Sequence, residues 1–560
     1  SSVELLVRNN TASNNSCTGL SIIANPGATV NADNPNGTVP TGIVGNTTTN
    51  NGNGIVLHGR AGSTINALVE NNISTGNTGN GFFGETDNGV FNLASMRNNI
   101  FSSNEENGAF LHYLNGGLFR SVTEDTNGNG TIDPGEDLNG NGLLDEGIVS
   151  NTFNGNSVVG LCIFGEGSGQ GFFDVGGESA LLGNTFIANG RGGIAADLTG
   201  TAEGTLNALN NRVFGNDADG ISVRLSDNAV LHQSNFINNT VSQSLGNGIS
   251  ISASDNAIAE HVIIQGNDLA DNRAHGVGLT ADGPGASITA VIGGTGENVL
   301  AGQSFAQRNR ITNNGTSGSG DGINATARNG GLVQGGIFNN LVTDGGRDGV
   351  SLLVDNGGTL DFGTPASNRL ISGNTILDNN GAGIRTVNNV SASSVGVINA
   401  VIVNNEISNN GAGGIVSSLN GPNNVPPNPP AVVDNNRLNL TIGGTGLTDD
   451  NVIDGNSDVG IGVDVNGNGQ AIVNITNTSV TGTVDGPDAR WNGDGLGLRR
   501  ADSSLLIANV TNSIFTGNAG DGMDVNAQGN DRFDPNQPMS GTANSVTVNG
   551  STFDNNGENG

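Results

Sequence analysis

A short phrase keeps returning along the 560 residues: an asparagine or aspartate, a glycine, then a brief apolar alternation. Its glycine falls at Gly54, Gly81, Gly108, Gly160, Gly193, Gly220, Gly248, Gly276, Gly322, Gly349, Gly383, Gly414, Gly460, Gly495, Gly522 and Gly560. Gly54 to Gly81 to Gly108 and Gly220 to Gly248 to Gly276 give nearly the same short interval, and longer intervals fall between them, so a base period carries insertions. Ten of these 16 glycines follow Asn or Asp. That dipeptide predicts a tight corner built on positive-φ residues.

After each corner the side chains alternate with period two, as a half-buried strand requires. Ile221, Val223 and Leu225 share one face, as do Val350, Leu352 and Val354. A second apolar stretch follows soon after and a third precedes the next corner, giving three short strands per period. Helices are disfavoured, because the chain holds 93 glycines and 90 asparagines; glycine costs about 1 kcal/mol per helical position and asparagine competes for its own backbone. Three strands without covering helices bury their inner faces by winding into a coil that stacks on the next at roughly 4.8 Å. Stacking then sets asparagine on asparagine, where side-chain amides form ladders. The expected fold is therefore all-β, a single continuous parallel β-helix over 1–560 in which one base period makes one coil.

The phrases Ile-Ser-Gly-Asn-Thr-Ile-Leu-Asp-Asn-Asn-Gly-Ala-Gly-Ile (371–384) and Val-Asn-Asn-Glu-Ile-Ser-Asn-Asn-Gly-Ala-Gly-Gly-Ile (403–415) resemble those of right-handed parallel β-helix repeat proteins, related in fold to pectate lyases. The resemblance covers essentially the whole chain and implies fold far more than function. Two Ile-Gly-Gly-Thr-Gly turns, at 292–296 and 442–446, resemble turns of large bacterial surface members. Both ends read as interrupted pattern without a polar cap, which predicts an excerpt of a longer chain or a unit that stacks end to end.

Net charge is −32, from 51 acidic residues against 19 basic ones, all arginine. Nucleic acid is excluded as a partner, since phosphate neutralisation needs clustered Lys and Arg. An anionic membrane surface is excluded for the same reason, and no apolar run is long enough to span a bilayer. Cys17 and Cys162 sit in apolar, strand-like stretches and are expected as buried free thiols. The first residues, Ser-Ser-Val-Glu-Leu-Leu-Val, do not read as a signal peptide.

The sharpest chemical motif lies in residues 125–136, which resemble an EF-hand calcium loop position by position. The resemblance implies side-chain oxygens from Asp125, Asn127 and Asn129, a turn at Gly130 and the carbonyl of Thr131. It further implies Asp133 acting through water and Glu136 binding bidentately. A second loop offers Asp137, Asn139, Asn141 and Asp145; Ile148 stands at its twelfth position, where Glu146 is the nearest substitute. A solvated acidic turn is the plainer alternative. The Gly108–Gly160 interval is nearly double the base period, which marks 124–147 as a discrete insertion that calcium would pin. The Pro-rich stretch 421–430 predicts a second protruding loop.

Weaker constellations follow from register. His58, Glu85 and His112 stand four places past their glycines on successive coils, as a surface ladder or as a transition-metal column. Asp321 and Asp348 stack likewise and would share a cation or merely replace asparagine at a turn. Uronate-cleaving and glycosidase relatives of this fold use clustered carboxylates with a basic residue, or a Gly-His-Gly turn. Here lysine and Gly-His-Gly are absent, and Asp449–Asp450 is the only adjacent aspartate pair. Arg499–Arg500, near Trp491 and Asp494, lacks an evident acidic counterpart. Aromatics are 4% of residues, so stacking platforms for sugars are scarce. The expected role is a non-catalytic, extracellular or cell-surface structural solenoid of bacterial type. It would be a rigid spacer, filament or adhesin-like segment that binds calcium, with itself or a surface polysaccharide as partner. The alternative is a carbohydrate-active enzyme or polysaccharide-binding module.

Overall fold

The computed structural model describes residues 1–33, 41–124, 145–294, 308–364, 367, 369–389, 394–421, 436–446, 449–467, 469–502, 504–528 and 544–558. They group into two compact units, one of residues 1–273, the other of 274–294 and 308–558. Each is wound the same way, as a right-handed parallel β-helix with three strands per coil. In the first unit, Phe82–Asp87 joins a first sheet, Val90–Arg97 a second and Ile100–Ser102 a third. Each pairs in parallel with the equivalent strand one coil on, Phe82 with Ala109, Val90 with Leu118 and Ile100 with Thr152.

The repeat read from the sequence is the register of the first sheet. Ile55, Phe82, Ala109, Leu161, Ile194, Ile221 and Ile249, each following a corner glycine, align coil on coil in the first unit. Val277, Ile323, Val350, Ile384, Ile415, Ile461, Leu496 and Met523 do so in the second. Gly108 and Gly160 therefore occupy equivalent corners of adjacent coils in spite of the long interval between them. Thr123 bridges Glu146 antiparallel, forming a neck between the described residues that end at 124 and resume at 145.

One expectation needs correcting. None of the described corner glycines, nor the Asn or Asp before it, has positive φ. Glycine is required because the coils approach too closely: a Cβ on Gly81 would lie 2.6 Å from the Gly108 carbonyl oxygen, and one on Gly220 would lie 2.8 Å from that of Gly248. The preceding Asn or Asp serves as an acceptor for a neighbouring corner's N–H, as in Asn80 to Asn53 (2.8 Å), Asn247 to Asp219 (2.7 Å) and Asp521 to Asp494 (2.8 Å). Positive φ occurs one position before the third-sheet ladders, at Asn71, Asn98, Asn210 and Asn238, with φ between 53° and 55°. In each of these Asn-Asn pairs the first residue turns the chain and the second enters the ladder.

Two buried amide ladders flank the third sheet. Asn72 donates from Nδ2 to Asn99 Oδ1 (3.0 Å), Asn99 to Asn151 (2.9 Å) and Asn151 to Asn184 (3.0 Å). At the other end of the same strands, Asn77 donates to Asn104 and Asn104 to Asn156, both at 2.9 Å. In the second unit hydroxyls take over part of the ladder: Thr478 N–H donates to Ser513 Oγ, and Ser513 N–H to Ser551 Oγ. A hydroxyl both donates and accepts, so it sustains the chain of bonds.

Between the sheets, side chains stack on their own kind. Phe153 lies on Phe186 at 4.7 Å and Phe91 on Phe119 at 4.4 Å, pairs worth about 0.5–1.5 kcal/mol beyond simple burial. The thiols are both free but not buried as expected: Cys17 is exposed and Cys162 half-buried, since Cys162 takes an outward position on its strand.

Candidate functional site

Side chains two and four places past a corner glycine point outward from the first sheet, and there the first unit gathers its reactive groups. Glu85 aligns with His58 on one side and His112 on the other. Its carboxylate lies 3.1 Å from His58 Nε2 and is hydrogen-bonded to His112 Nδ1 at 2.9 Å. The hydrogen bond from His112 lowers the Glu85 pKa, against burial, with the His58 and His112 charges assisting. Glu85 thus occupies the space between the two rings. No group of three or more His, Cys, Asp or Glu among the described residues is disposed to hold a metal ion.

Beside this column runs an aromatic strip that sequence reasoning missed. Phe83 and Phe110 pack at 5.6 Å, Phe110 and Phe164 at 6.4 Å, and Phe164 lies 5.2 Å from the His112 ring. All three phenylalanines are half-buried. The signal was present: 83 and 110 stand two places past Gly81 and Gly108, and 164 stands four past Gly160. Next in register come Asp197 and Arg224. Burial raises the Asp197 pKa, opposed by the Arg224 charge. Asp197 Oδ1 and His112 Nε2 are buried without a hydrogen-bond partner among the described residues.

In the second unit, Asp321 and Asp348 are fully buried at successive corners and do share a cation, an organic one. Arg347 Nε lies 3.0 Å from Asp321 and 3.2 Å from Asp348, while Arg385 Nε meets both Asp348 oxygens at 2.9 Å. His275 Nδ1 accepts the Asp321 N–H at 2.9 Å, so the ring is neutral with its proton on Nε2. Its 3.4 Å approach to the Asp321 carboxylate is then no ion pair. Burial, helped by Arg347, pushes His275 down to about 4, and burial pushes Asp321 up to about 6.

Near Trp491 it is Arg490, not Arg499–Arg500, that carries the acidic partners: it pairs with Asp488 at 2.5 Å and with Asp464 at 3.1 Å, while Arg499 donates to the Arg490 carbonyl and Arg500 to that of Asp502. Distance along the chain hid Asp464, which lies 26 residues before Arg490. Arg490 and Arg499 sit 5.9 and 5.7 Å from the Trp491 ring. The indole is buried over Gly462 and Gly497, where a Cβ would press on it. Asp494 is 4% exposed, and burial drives its pKa up to about 7, with Asp524, Asp521 and Glu558 adding to the effect. Asp449 closes its own turn by accepting the Gly446 N–H at 2.9 Å.

Of the expected calcium ligands, Asp125, Asn127, Asn129, Thr131, Asp133, Glu136, Asp137, Asn139 and Asn141 lie outside the described residues, as does 422–430 of the Pro-rich stretch. Asp145 is described, buried at the neck, where its N–H faces the Glu124 carboxylate and its carbonyl accepts the Glu124 N–H at 3.0 Å. Glu146, the nearest substitute ligand, pairs with Arg97 at 3.1 Å, and Arg97 also pairs with Glu70. Asp174 anchors the neck by accepting the Thr123 N–H at 2.6 Å.

No protein-family model and no curated protein matches the chain. Among solved structures, the A-module of the Azotobacter vinelandii mannuronan C-5 epimerase AlgE4 is 11% identical, with 93% of this chain and 90% of that one covered and a TM-score of 0.26. The PL6 family alginate lyase AlyGC is also 11% identical, with 98% and 97% covered and a TM-score of 0.18. Superposition at that level carries no information about function.

Proposed function

We infer that this chain is a non-catalytic structural β-solenoid, displayed outside the cell as a spacer, filament or adhesin-like segment. One observation carries the reading: the stacked carboxylates of Asp321, Asp348 and Glu85 are engaged in pairing across coils. Asp321 and Asp348 are sealed under Arg347 and Arg385, and Glu85 is shared by two imidazoles. A general base must reach a substrate proton within hydrogen-bond distance, and fully buried, ion-paired carboxylates do not. Calcium bound by residues 125–145 would order the insertion, and millimolar extracellular calcium suits a loop of this kind. Self-association is the partner the reading favours. Electron microscopy of native material, with and without a chelator, tests it: filaments or a surface layer are expected, whereas dispersed particles that depolymerise a polyuronate would overturn it. Calorimetric titration with calcium should give binding that the double variant Asp125→Asn, Glu136→Gln abolishes; identical heats from parent and variant would remove the metal assignment.

A second reading is favoured by the Phe83–Phe110–Phe164 strip beside Glu85, His112 and Asp197. Aromatic faces next to polar groups suit an uncharged saccharide lying across the first sheet of the first unit, as a binding module. Phe110→Ala and Phe164→Ala should then abolish retention on an immobilised neutral polysaccharide without changing the far-UV spectrum. Parent protein that fails to bind a panel of such polymers would eliminate this reading.

A further inference from the structure

Asparagine followed by glycine is the pair in which backbone nitrogen most easily reaches the side-chain carbonyl carbon, because the second residue has no Cβ to obstruct it. Within residues 80–116 this fold places the pair in two settings, and adjacent coils hold one of each. At the first-sheet corners stand Asn80–Gly81 and Asn107–Gly108. The Asn80 amide donates to Glu106 at 2.8 Å, and its oxygen accepts both the N–H and the Nδ2 of Asn107. Asn107 Oδ1 in turn accepts the Val159 N–H at 3.1 Å. The nucleophilic nitrogens are occupied as well: Gly81 N–H donates to the Asn107 carbonyl at 3.0 Å and Gly108 N–H to that of Val159 at 2.9 Å.

Farther along the same coils the chain turns from the first sheet to the second at Asn88–Gly89 and Asn115–Gly116. Both asparagines are exposed and left-handed, with φ of 48° and 51°. Among the described residues neither the Gly89 nor the Gly116 N–H donates a hydrogen bond. The Asn88 side chain makes none, and Asn115 gives only its Nδ2, to Asp87 Oδ1 at 3.0 Å. No hydrogen bond engages the Asn88 carboxamide or the Gly89 N–H, and at Asn115 the single bond leaves Oδ1 and the Gly116 N–H unengaged among the described residues.

We propose that Asn88 and Asn115 are sites of fold-directed deamidation, while the corner asparagines of the same coils are protected. Hydroxide removes the Gly89 amide proton, and the nitrogen forms a bond to Asn88 Cγ. The Cγ–Nδ2 bond breaks, and nitrogen leaves as ammonia after taking up a proton from water. Water then opens the resulting succinimide at one of its two carbonyls, giving aspartate or isoaspartate. The same steps apply at Asn115–Gly116. No redox partner is involved, and each event adds one negative charge close to Asp87. Isoaspartate lengthens the backbone by one atom, which an exposed turn absorbs and a stacked corner does not.

The test is to age the intact chain in mildly alkaline buffer, with a parallel sample in concentrated urea, and to map peptides by mass spectrometry with aspartate and isoaspartate separated. In the folded chain, positions 88 and 115 should convert about tenfold faster than 80 and 107 or more, the ratio set by an opening cost of about 1.4 kcal/mol at the corners. In urea the four rates should converge, since the local sequence pair is the same. Asn88→Gln, whose longer side chain does not close the five-membered ring, should lose one step of charge drift on native electrophoresis while position 115 continues to convert. The proposal is overturned if 80 and 107 keep pace in the folded chain, or if 88 and 115 stay intact there while urea converts them.

Discussion

At position 211 an amide and a carboxylate are not equivalent, although asparagine and aspartate are nearly the same shape. Asn211 donates from Nδ2 to Asn239 Oδ1 and to the Val175 carbonyl, while its own oxygen accepts the N–H and Nδ2 of Asn184. A carboxylate there would set an acceptor against two acceptors. Asn211→Asp should therefore cost about 3 kcal/mol or more, from desolvated groups left unpaired. At the Asp219 corner the oxygen alone is used, accepting the Asn247 N–H, and Asp219→Asn should change stability by less than about 1 kcal/mol. Equal losses in urea titrations of the two variants would refute the distinction. Asp494 gives a pH test. Its carboxyl is raised to about 7 in the folded chain. Between the ordinary carboxylate range near 4 and about 7, the folded state thus binds more protons, and stability falls as pH rises. Asp494→Asn keeps an acceptor for the Asp521 N–H and removes the buried charge. It should be more stable than the parent by about 1 kcal/mol at neutral to alkaline pH and should match it in acid. An advantage that grows toward low pH would contradict this.

The coil is the element on which the strands depend, and its tightest point is the glycine corner. Gly220 has Val241 and the Gly248 carbonyl against the position of any Cβ, and the obstructing carbonyl is backbone. Gly220→Ala should therefore destabilise the first unit by about 2–3 kcal/mol, in the range of overpacking. The same change at Gly215, where φ is +62° and nothing lies within 4 Å, should cost only the left-handed conformation, about 1–2 kcal/mol. Thermal melts of the pair check the order. The period, the three strands and the outward column of His58, Glu85 and His112 were legible because spacing and alternation are local properties. The reason for glycine was not, since φ at the corner and the approach of the next coil belong to no single coil. The aromatic strip was legible in principle: the count that placed His112 four past Gly108 also places Phe110 two past it.

Charge acts on the molecule as a whole. With 51 acidic and 19 basic residues, the folded chain concentrates repulsion that the unfolded chain relieves. Raising salt from about 0.01 M to about 0.15 M shortens the screening length from about 30 to about 8 Å and should raise the melting midpoint by a few degrees. A falling midpoint would mean that in-register pairs such as Arg385–Asp348 outweigh the general repulsion. Such pairs offset part of the repulsion of a scaffold of net charge −32 locally: guanidinium or imidazole meets carboxylates such as Asp348 and Glu85 where the coils bury them.

Composition and period alone determined that this chain winds, that each coil is one base period long and that asparagine lines its turns. Glycine and asparagine leave helices no advantage, and alternation with no covering helix has one compact solution. Which groups meet was decided only by winding. Arg490 reaches Asp464 across 26 residues and Arg347 closes over Asp321 across the same separation, because neighbours in a solenoid are one period apart and insertions change that period. A linear reading counts residues, whereas the electrostatics of each site depend on distance through space.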